Sequence, residues 1–309
     1  MVLIAGPWVS SAIRNQFNTV AGAIGSGTTG ENFYEPEDIP DPQNGTAFAV
    51  YSEDDHSLMF YKRRGVPKVG DMFNYRRVTE VYTGFETDTY CNQDAASDSN
   101  WYFQVPNTPW RSICRSVRSA KIVDGGIAPQ SVNYWFYDMA NMTSVDVSKL
   151  NTSRCTDFRM TFGCCRSLTE IDVSSWSTDS LVRLNGTFLG CNSLKSLNIG
   201  DWDTSKVESY HCLFHGCYSL VGDSMQRAVD SLDVTYHAKD FTLMFEGCRQ
   251  LVSIDLSNWS FGGAGTMGGM FSGCAELQID CSGWNVRSNS FHDDFNKNAP
   301  GVILPKVWQ

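Results

Sequence analysis

The sequence predicts a solenoid of short parallel strands, preceded by a small β-rich module and by an N-terminal helix. Three observations predict this architecture. A phenylalanine motif occurs six times at a nearly fixed spacing in the C-terminal two thirds of the chain, and five of the six copies also contain a cysteine and a leucine at fixed positions. A short run of alternating polar and apolar residues, typical of a strand, follows each motif. The region before the motifs alternates in the same way over longer runs that are separated by turn residues.

Composition and pattern divide the chain of 309 residues into four predicted parts. Residues 1–24 are expected to form a docking or oligomerisation helix, and residues 25–45, rich in Gly, Pro and acidic residues, a linker. Residues 46–109 are expected to form the β-rich module. Residues 110–309 are expected to form the solenoid and its C-terminal cap.

The predicted N-terminal helix has four apolar residues on one face, Ile13, Phe17, Val20 and Ile24, with Pro7 near its start. Two interpretations remain open. The apolar face could dock on another protein or on copies of the same chain, or it could pack on its own domain.

The β-rich module begins with a hairpin. The runs "FAVYS" and "SLMFYK" alternate around "EDDH", which predicts two antiparallel strands and a four-residue loop. The later runs "RRVTEVYTGF" and "WYFQV" extend the module, which is expected to cap the N-terminal end of the solenoid.

The repeats share a register that the phenylalanines define. These are Phe136, Phe162, Phe188, Phe214, Phe245 and Phe271, so that every step is 26 residues except one of 31. In all but the first repeat, a cysteine follows three positions later and a leucine six positions later. A fixed period in the twenties with Leu-x-x-Ile-x-Val spacing is typical of leucine-rich-repeat solenoids. A single strand of this kind cannot bury its apolar side, but stacked repeats can.

The long fourth step contains a segment with helical spacing. Met225, Ala228, Val229 and Leu232 recur at intervals of three and four residues. We expect a helical insertion at the edge of the solenoid. The last segment, residues 291–309, is a decayed repeat that ends in proline and apolar residues, which predicts a cap.

The pattern "FxGCxSLxxIDLSxWDTSxV" over residues 110–300 resembles the repeat of the BspA-like leucine-rich-repeat surface proteins, with mycoplasma-lipoprotein-type repeats of 26 residues. Such proteins occur on mucosal bacteria and mycoplasmas and in some phage genomes. The stretch "TAFAVYSEDDHSLMFYKRRG" also resembles the module that often precedes these repeats. The resemblance implies a surface-binding leucine-rich-repeat protein. Several repeats lack the "DTSxV" tail, and we recognise no signal peptide or wall anchor, which puts cell-wall attachment in doubt.

One polar residue lies between the inward positions of each predicted strand. These residues are Asp146, Asp172, Asn198, Asp233, Asp255 and Asp280. In stacked strands they would stand about 5 Å apart on the outer face. They could bind a divalent cation or a basic partner. Alternatively, each could accept backbone or hydroxyl hydrogen bonds from neighbouring turns, where Ser174, Thr178 and Ser257 are available. Because these residues recur once in each repeat, we favour the second interpretation, in which they stabilise the repeats.

Two other groups of residues have metal-ligand types. His211 and His215 in "HCLFHGC" occupy positions that hold Arg159, Asn185 or Glu246 in other repeats, which predicts that both face solvent. The periodic cysteines are expected to be buried as small apolar groups with a weak donor, because neighbouring parallel turns rarely present disulfide geometry. We predict no metal site and no cofactor.

Charge and motifs exclude several classes of function. With 24 basic and 34 acidic residues, the net charge of −10 disfavours a nucleic-acid partner. No apolar run approaches the roughly 18 residues of a membrane span. No sequence motif of a nucleophile elbow, a phosphate loop or a zincin helix is present, so we predict no enzyme.

The predicted function is adhesion by a binding module that presents variable strand positions to a protein or glycan receptor on a host or bacterial surface. These positions are Thr169, Glu170, Lys195, Ser196, Val252 and Ser253. The module is expected on the surface of a phage virion, as a tail-fibre, receptor-binding or decoration protein. Its N-terminus would contact other virion proteins, and it could be a homo-oligomer. The alternatives are a bacterial cell-surface adhesin and, third, a glycan hydrolase with paired carboxylates.

Overall fold

The computed structural model describes residues 40–87 and 107–309. The predicted docking helix with Ile13, Phe17, Val20 and Ile24 lies outside the described residues. Within them, short strands and turns predominate, together with one α-helix and two 3-10 turns, Arg111–Ile113 and Lys306–Trp308.

Strands β1 (Thr46–Ser52) and β2 (Ser57–Arg63) form the predicted antiparallel hairpin, with a loop at residues 53–56. Strands β3 (Met72–Phe73) and β4 (Arg76–Arg77) form a small separate ribbon. Strand β5 (Glu80–Thr83) then pairs with the free side of β1.

The hairpin and the first repeats share one sheet. Strand β6 (Ser119–Ile122) pairs in parallel with β2, and β7 (Ser144–Asp146) pairs in parallel with β6. The resulting five-stranded sheet has the order β5-β1-β2-β6-β7. On β2, the ring of Phe60 stacks on Trp135 with centroids 5.5 Å apart, so the cores of the module and the first repeat are continuous.

The later strands pair only in twos. Strands β8 (Glu170–Asp172) and β9 (Ser196–Asn198) form one parallel pair, and β10 (Ile279–Asp280) and β11 (Val302–Ile303) form another. The alternating run at residues 252–256 has no assigned strand. One sheet along all repeats, the arrangement that the sequence suggests, is therefore not what the structure has.

The repeats nevertheless stack in register, and we call residues 130–303 the repeat stack. The register phenylalanines are stacked ring on ring from Phe136 to Phe271, with centroid distances between 5.3 and 6.1 Å. Leu168, Leu194 and Leu251 are fully buried in the same core.

The side of the stack opposite the strands is held by turns that sequence analysis did not foresee. Each repeat has two residues with left-handed backbone, four positions apart, such as Met160 (φ 55°) and Cys164 (φ 62°). Between them, the N–H of Phe162 donates to the carbonyl of Thr187 in the next repeat at 2.9 Å. Glycine holds the second position from Gly190 to Gly273, since the left-handed region costs glycine least.

Helix α1 (Gly222–Asp230) confirms the predicted helical segment but not its place. It lies within the strand layer and not at the edge, because its side chains bond to the strand rows on both sides. The Oγ atom of Ser224 accepts the N–H of Leu197 at 2.9 Å. The amide of Gln226 donates to the carbonyl of Asp255 (2.9 Å) and accepts its N–H (2.8 Å). These side-chain groups take the place of the backbone of a missing strand.

No helix in the described part of the chain is long and apolar enough to cross a membrane.

Candidate functional site

The predicted variable positions all lie on one surface, the outer strand face. Thr169, Glu170, Lys195, Ser196, Val252 and Ser253 are each exposed. Their neighbours Leu168 and Ile171 are buried, so the exposed pair Thr169–Glu170 lies between two inward-facing residues. Val252 leaves 59% of its surface exposed, which places an apolar contact among polar ones.

The polar residues between the inward positions mostly accept hydrogen bonds within their own turns. Asp172 Oδ1 accepts the N–H (3.0 Å) and the hydroxyl (2.6 Å) of Ser174, and this hydroxyl contact is the main cause that lowers the pKa of Asp172. Asp172 Oδ2 accepts the amide of Asn198 at 3.2 Å. Asn198 Oδ1 in turn accepts the N–H of Gly200. The neutral amide of Asn198 thus donates to Asp172, where an aspartate at position 198 would repel it.

Asp146 shows a second way of compensating the charge. Its carboxylate lies 2.8 Å from Lys121 Nζ on the neighbouring strand, and this contact lowers the pKa of Asp146. The N–H and hydroxyl of Ser148 also donate to it. The pairing supports the role of the row as hydrogen-bond acceptors.

Asp255 and Asp280 also accept hydrogen bonds within their own turns and are exposed. Asp255 Oδ1 accepts the N–H of Ser257 at 2.9 Å, and Asp280 Oδ1 accepts that of Ser282 at 2.8 Å. These serines lower the pKa of both carboxyls, so both are ionised at neutral pH.

Two assignments to this row were wrong. The backbone N–H of Asp233 donates to Thr204 Oγ1, as that of Asp203 donates to Thr178 Oγ1. Asp233 therefore lies beyond the strand row, near the register of Asp203, because α1 has taken the place of the strand. Thr178 consequently serves the backbone of the next repeat and not the carboxylate row.

The two histidines are not the solvent-facing residues that sequence analysis predicts. His211 Nδ1 lies 3.3 Å from Asp240 Oδ2, and His215 Nδ1 lies 3.0 Å from Glu246 Oε2 in the next repeat. Burial lowers the pKa of His215 and outweighs the opposing effect of Glu246. Among residues 40–87 and 107–309, no group of three or more His, Cys, Asp or Glu side chains is arranged to hold a metal ion.

A cleft opens between the fifth and sixth repeats, and we call it the Trp284 cleft. It has a volume of about 490 Å³, and its walls include Asp255, Leu256, Trp259, Asp280, Trp284 and Asn285. The N–H of Gln278 donates to the carbonyl of Val252 in the fifth repeat at 2.8 Å. The N–H groups of Ile279 and Cys281 instead donate to the carbonyls of Gly301 and Ile303 in the final segment. The run at residues 252–256 and strand β10 are therefore not paired beyond Gln278, and the cleft lies between them. Sequence analysis did not detect the cleft, because the loss of pairing between two repeats leaves no local pattern in the sequence.

The chain was compared with solved structures, with curated proteins and with protein-family models. Two solved leucine-rich-repeat proteins are similar in part. One, from Bacteroides ovatus, is 14% identical with a TM-score of 0.26, covering 86% of this chain and 82% of that chain. The other, from Eubacterium ventriosum, is 12% identical with a TM-score of 0.20, covering 84% and 83%. These scores are too low for an argument from superposition.

A search of curated proteins found no significant match. The family model described as "Mycoplasma protein of unknown function, DUF285" matches residues 130–235 and 222–301, which together are more than half of the chain. The matched residues are those whose phenylalanines, cysteines and leucines align in the repeat stack. The chain therefore belongs to the DUF285 family of BspA-like repeat proteins.

Proposed function

We propose that this protein is a non-enzymatic binding module whose stacked repeats form a solenoid and present the outer strand face to a protein or glycan receptor on a cell surface. One observation carries the proposal. Side chains at two adjacent positions, exemplified by Thr169–Glu170, Lys195–Ser196 and Val252–Ser253, are exposed above a continuous buried core. Membership of a family of surface repeat proteins supports the same function.

The rigidity of the stack supports binding by a preformed surface. Stacked phenylalanines and hydrogen bonds between repeats fix the spacing of the exposed side chains. A partner therefore does not have to order the face when it binds, and less conformational entropy is lost. Repetition also makes a wide contact area without a deep pocket.

The charge state of the cleft carboxyls favours binding over hydrolysis. Most glycosidases that use two carboxyls keep one of them protonated by raising its pKa. Asp255 and Asp280 both have lowered pKa values, so neither holds a proton for a leaving group at neutral pH. The hydrolase remains the third candidate, and turnover of a defined glycan by the wild type that Asp255→Asn abolishes would restore it.

We propose that the binding module is a component of a phage virion. The alternative is an adhesin on a bacterial cell surface. The support for the virion is the sequence pattern of residues 13–24, which predicts a helix with an apolar face followed by a linker and would suit docking or oligomerisation on a particle. The native protein should then sediment with phage particles in a density gradient. Recovery only with the bacterial envelope would favour the adhesin.

Binding of fluorescently labelled protein to intact cells tests the proposed function. A panel of bacterial strains and mucosal epithelial cells should contain at least one cell type that the wild type labels in flow cytometry. Thr169→Arg with Ser253→Arg should reduce that labelling more than tenfold. The matched control, Ser153→Arg with Thr156→Arg, adds the same charge at exposed positions away from the outer strand face.

Equal loss of labelling in both double variants would show that the outer strand face is not the binding surface. Absence of labelling of any cell type by the wild type would contradict the proposed function as a whole. Circular dichroism of all three proteins confirms that the variants are folded.

A further inference from the structure

We propose that the Trp284 cleft binds a neutral sugar ring. The inference rests on the proposed function, since it names a ligand class for one part of the binding module. It goes further in locating the site at the end of the strand rows and in assigning the groups that contact the ligand.

A hydrogen bond that recurs along the stack is missing at this cleft. The indole N–H of Trp176 donates to the carbonyl of Val147 (3.3 Å), and that of Trp202 donates to Val173 (3.3 Å). Trp259 donates likewise to Val229 of α1 (3.2 Å). For Trp284, none of the described residues accepts the indole N–H, although Leu256 occupies the corresponding place and lines the cleft. Trp284 is also less buried than the other three indoles.

Acceptors accompany this donor. Asp255 and Asp280 each use Oδ1 for the N–H of a serine, and the hydroxyl of the same serine also contacts the carboxylate. No other hydrogen-bond donor among the described residues reaches either carboxylate, so each keeps acceptor capacity for a ligand. The side-chain amide of Asn285 is exposed, makes no hydrogen bond within the described chain, and can donate and accept. The cleft therefore offers two ionised acceptors, one indole donor and one amide.

An apolar wall completes the site. The indole of Trp284 stacks on Phe261, with ring centroids 4.1 Å apart and an interplanar angle of 18°. Phe261 is buried, so the tryptophan is held in place while part of its surface stays accessible. A partly accessible aromatic surface next to a few polar groups suits a ligand that is apolar on one side and polar at its edge. The volume of about 490 Å³ lies within the range of small-molecule sites.

The combination of groups selects a hydroxylated ligand. A hydroxyl can donate to Asp255 or Asp280 and accept from the indole N–H of Trp284 at the same time. A metal ion or a lysine ammonium could satisfy the carboxylates but not the indole donor. A sugar that carries a carboxylate or phosphate would be repelled by two ionised aspartates. A pyranose has an apolar C–H face for the indole and hydroxyls at its edge, so a neutral sugar fits all of the groups.

Saturation-transfer NMR tests the inference with the methyl glycosides of glucose, galactose, mannose and N-acetylglucosamine at millimolar concentration. At least one of them should bind the wild type and alter its tryptophan fluorescence. Trp284→Phe, which keeps an aromatic ring on Phe261 but removes the indole N–H, should weaken binding at least tenfold. Asp280→Asn should weaken it similarly. Asp172→Asn is the matched control, since Asp172 holds the same strand position outside the cleft, and it should bind like the wild type.

The absence of a signal from all four glycosides, or equal binding by the wild type and the cleft variants, would overturn the inference. Lysine methyl ester serves as the cationic probe, and its binding in place of the sugars would also overturn it. Thermal unfolding of each variant identifies any loss caused by misfolding; if Trp284→Phe is unfolded, Asp280→Asn decides. If no glycoside binds but the wild type still labels cells through Thr169 and Ser253, only this inference fails. If glycosides bind and no cell type is labelled, sugar binding by the Trp284 cleft is supported and the proposed cell-surface function is contradicted.

Discussion

The thiol of Cys191 donates a hydrogen bond to the carbonyl oxygen of Phe162 in the preceding repeat, at 3.2 Å. The same bond recurs at every periodic cysteine, with distances between 3.0 and 3.3 Å. The donors are Cys165, Cys191, Cys217, Cys248 and Cys274. These cysteines are therefore small buried residues whose weak donors join adjacent repeats, as sequence analysis predicts.

Truncation of one such cysteine should destabilise the stack. Cys191→Ala removes a fully buried sulfur and its hydrogen bond, so we expect a loss of about 1–3 kcal/mol in the free energy of unfolding. Urea denaturation followed by circular dichroism measures this loss. Ser175→Ala, at an exposed position, is the control and should change stability by less than about 0.5 kcal/mol. A similar value for Cys191→Ala would show that the thiol contributes nothing to the stack.

The buried cysteines should resist alkylation in the native protein. Burial raises the pKa of Cys274 to about 12 and that of Cys191 further, so the reactive thiolate is scarce at neutral pH. Cys164 is only half-buried and should be modified before the periodic cysteines. Mass spectrometry of peptides after iodoacetamide treatment, with and without urea, measures the order. Modification of Cys191 as fast as Cys164 in native buffer would contradict it.

Acidification below neutral pH should destabilise the protein through His215. Burial lowers the pKa of His215 in the folded state, so in this range the unfolded chain binds more protons than the folded chain. The contribution of His215 to stability is therefore largest above the ordinary histidine pKa of about 6.5, and it decreases as the pH falls through that value towards the folded-state pKa.

His215→Gln should make the melting temperature less dependent on pH between about 5 and 7.5, a range that spans the ordinary histidine pKa. Differential scanning fluorimetry in matched buffers of constant ionic strength measures the slope. His237→Gln, at an exposed position, is the control. An unchanged slope in His215→Gln would assign the pH dependence to other groups.

The side-chain amide of Gln226 should stabilise the backbone at Asp255, in the extended run that follows the fifth repeat motif. Gln226→Glu keeps an acceptor for the N–H of Asp255 but loses the donor to the Asp255 carbonyl and to Asp230 Oδ1, whereas Gln226→Leu loses all three contacts. We expect losses of about 1 kcal/mol and about 2 kcal/mol respectively in the free energy of unfolding.

Hydrogen exchange at the N–H of Asp255 provides a local measurement of the same contact. Gln226→Leu should accelerate it, because the N–H loses its acceptor, and Gln226→Glu should change it less. Equal exchange rates in all three proteins would show that the helix does not replace a strand at this row.

Much of the fold could be predicted from period and alternation. The spacing of Phe162, Phe188 and Phe214 identified residues that are stacked in the core, and the positions of Thr169 and Ser196 identified exposed residues. The alternation around residues 53–56 identified the hairpin. These features depend on neighbours in sequence or on a constant step, so the sequence contains the information directly.

The sequence by itself determined the register of the repeats, the buried side of each strand and the presence of a helix in the fourth repeat. Only the tertiary structure decided that α1 lies in the strand layer and that Asp233 leaves the carboxylate row. It also decided that, within the described residues, Trp284 lacks the bond made by the indoles of Trp176, Trp202 and Trp259. The physical reason is that a hydrogen bond between repeats depends on the distance between two rows more than two dozen residues apart. One helix of nine residues changes which rows meet, and no local pattern records that change.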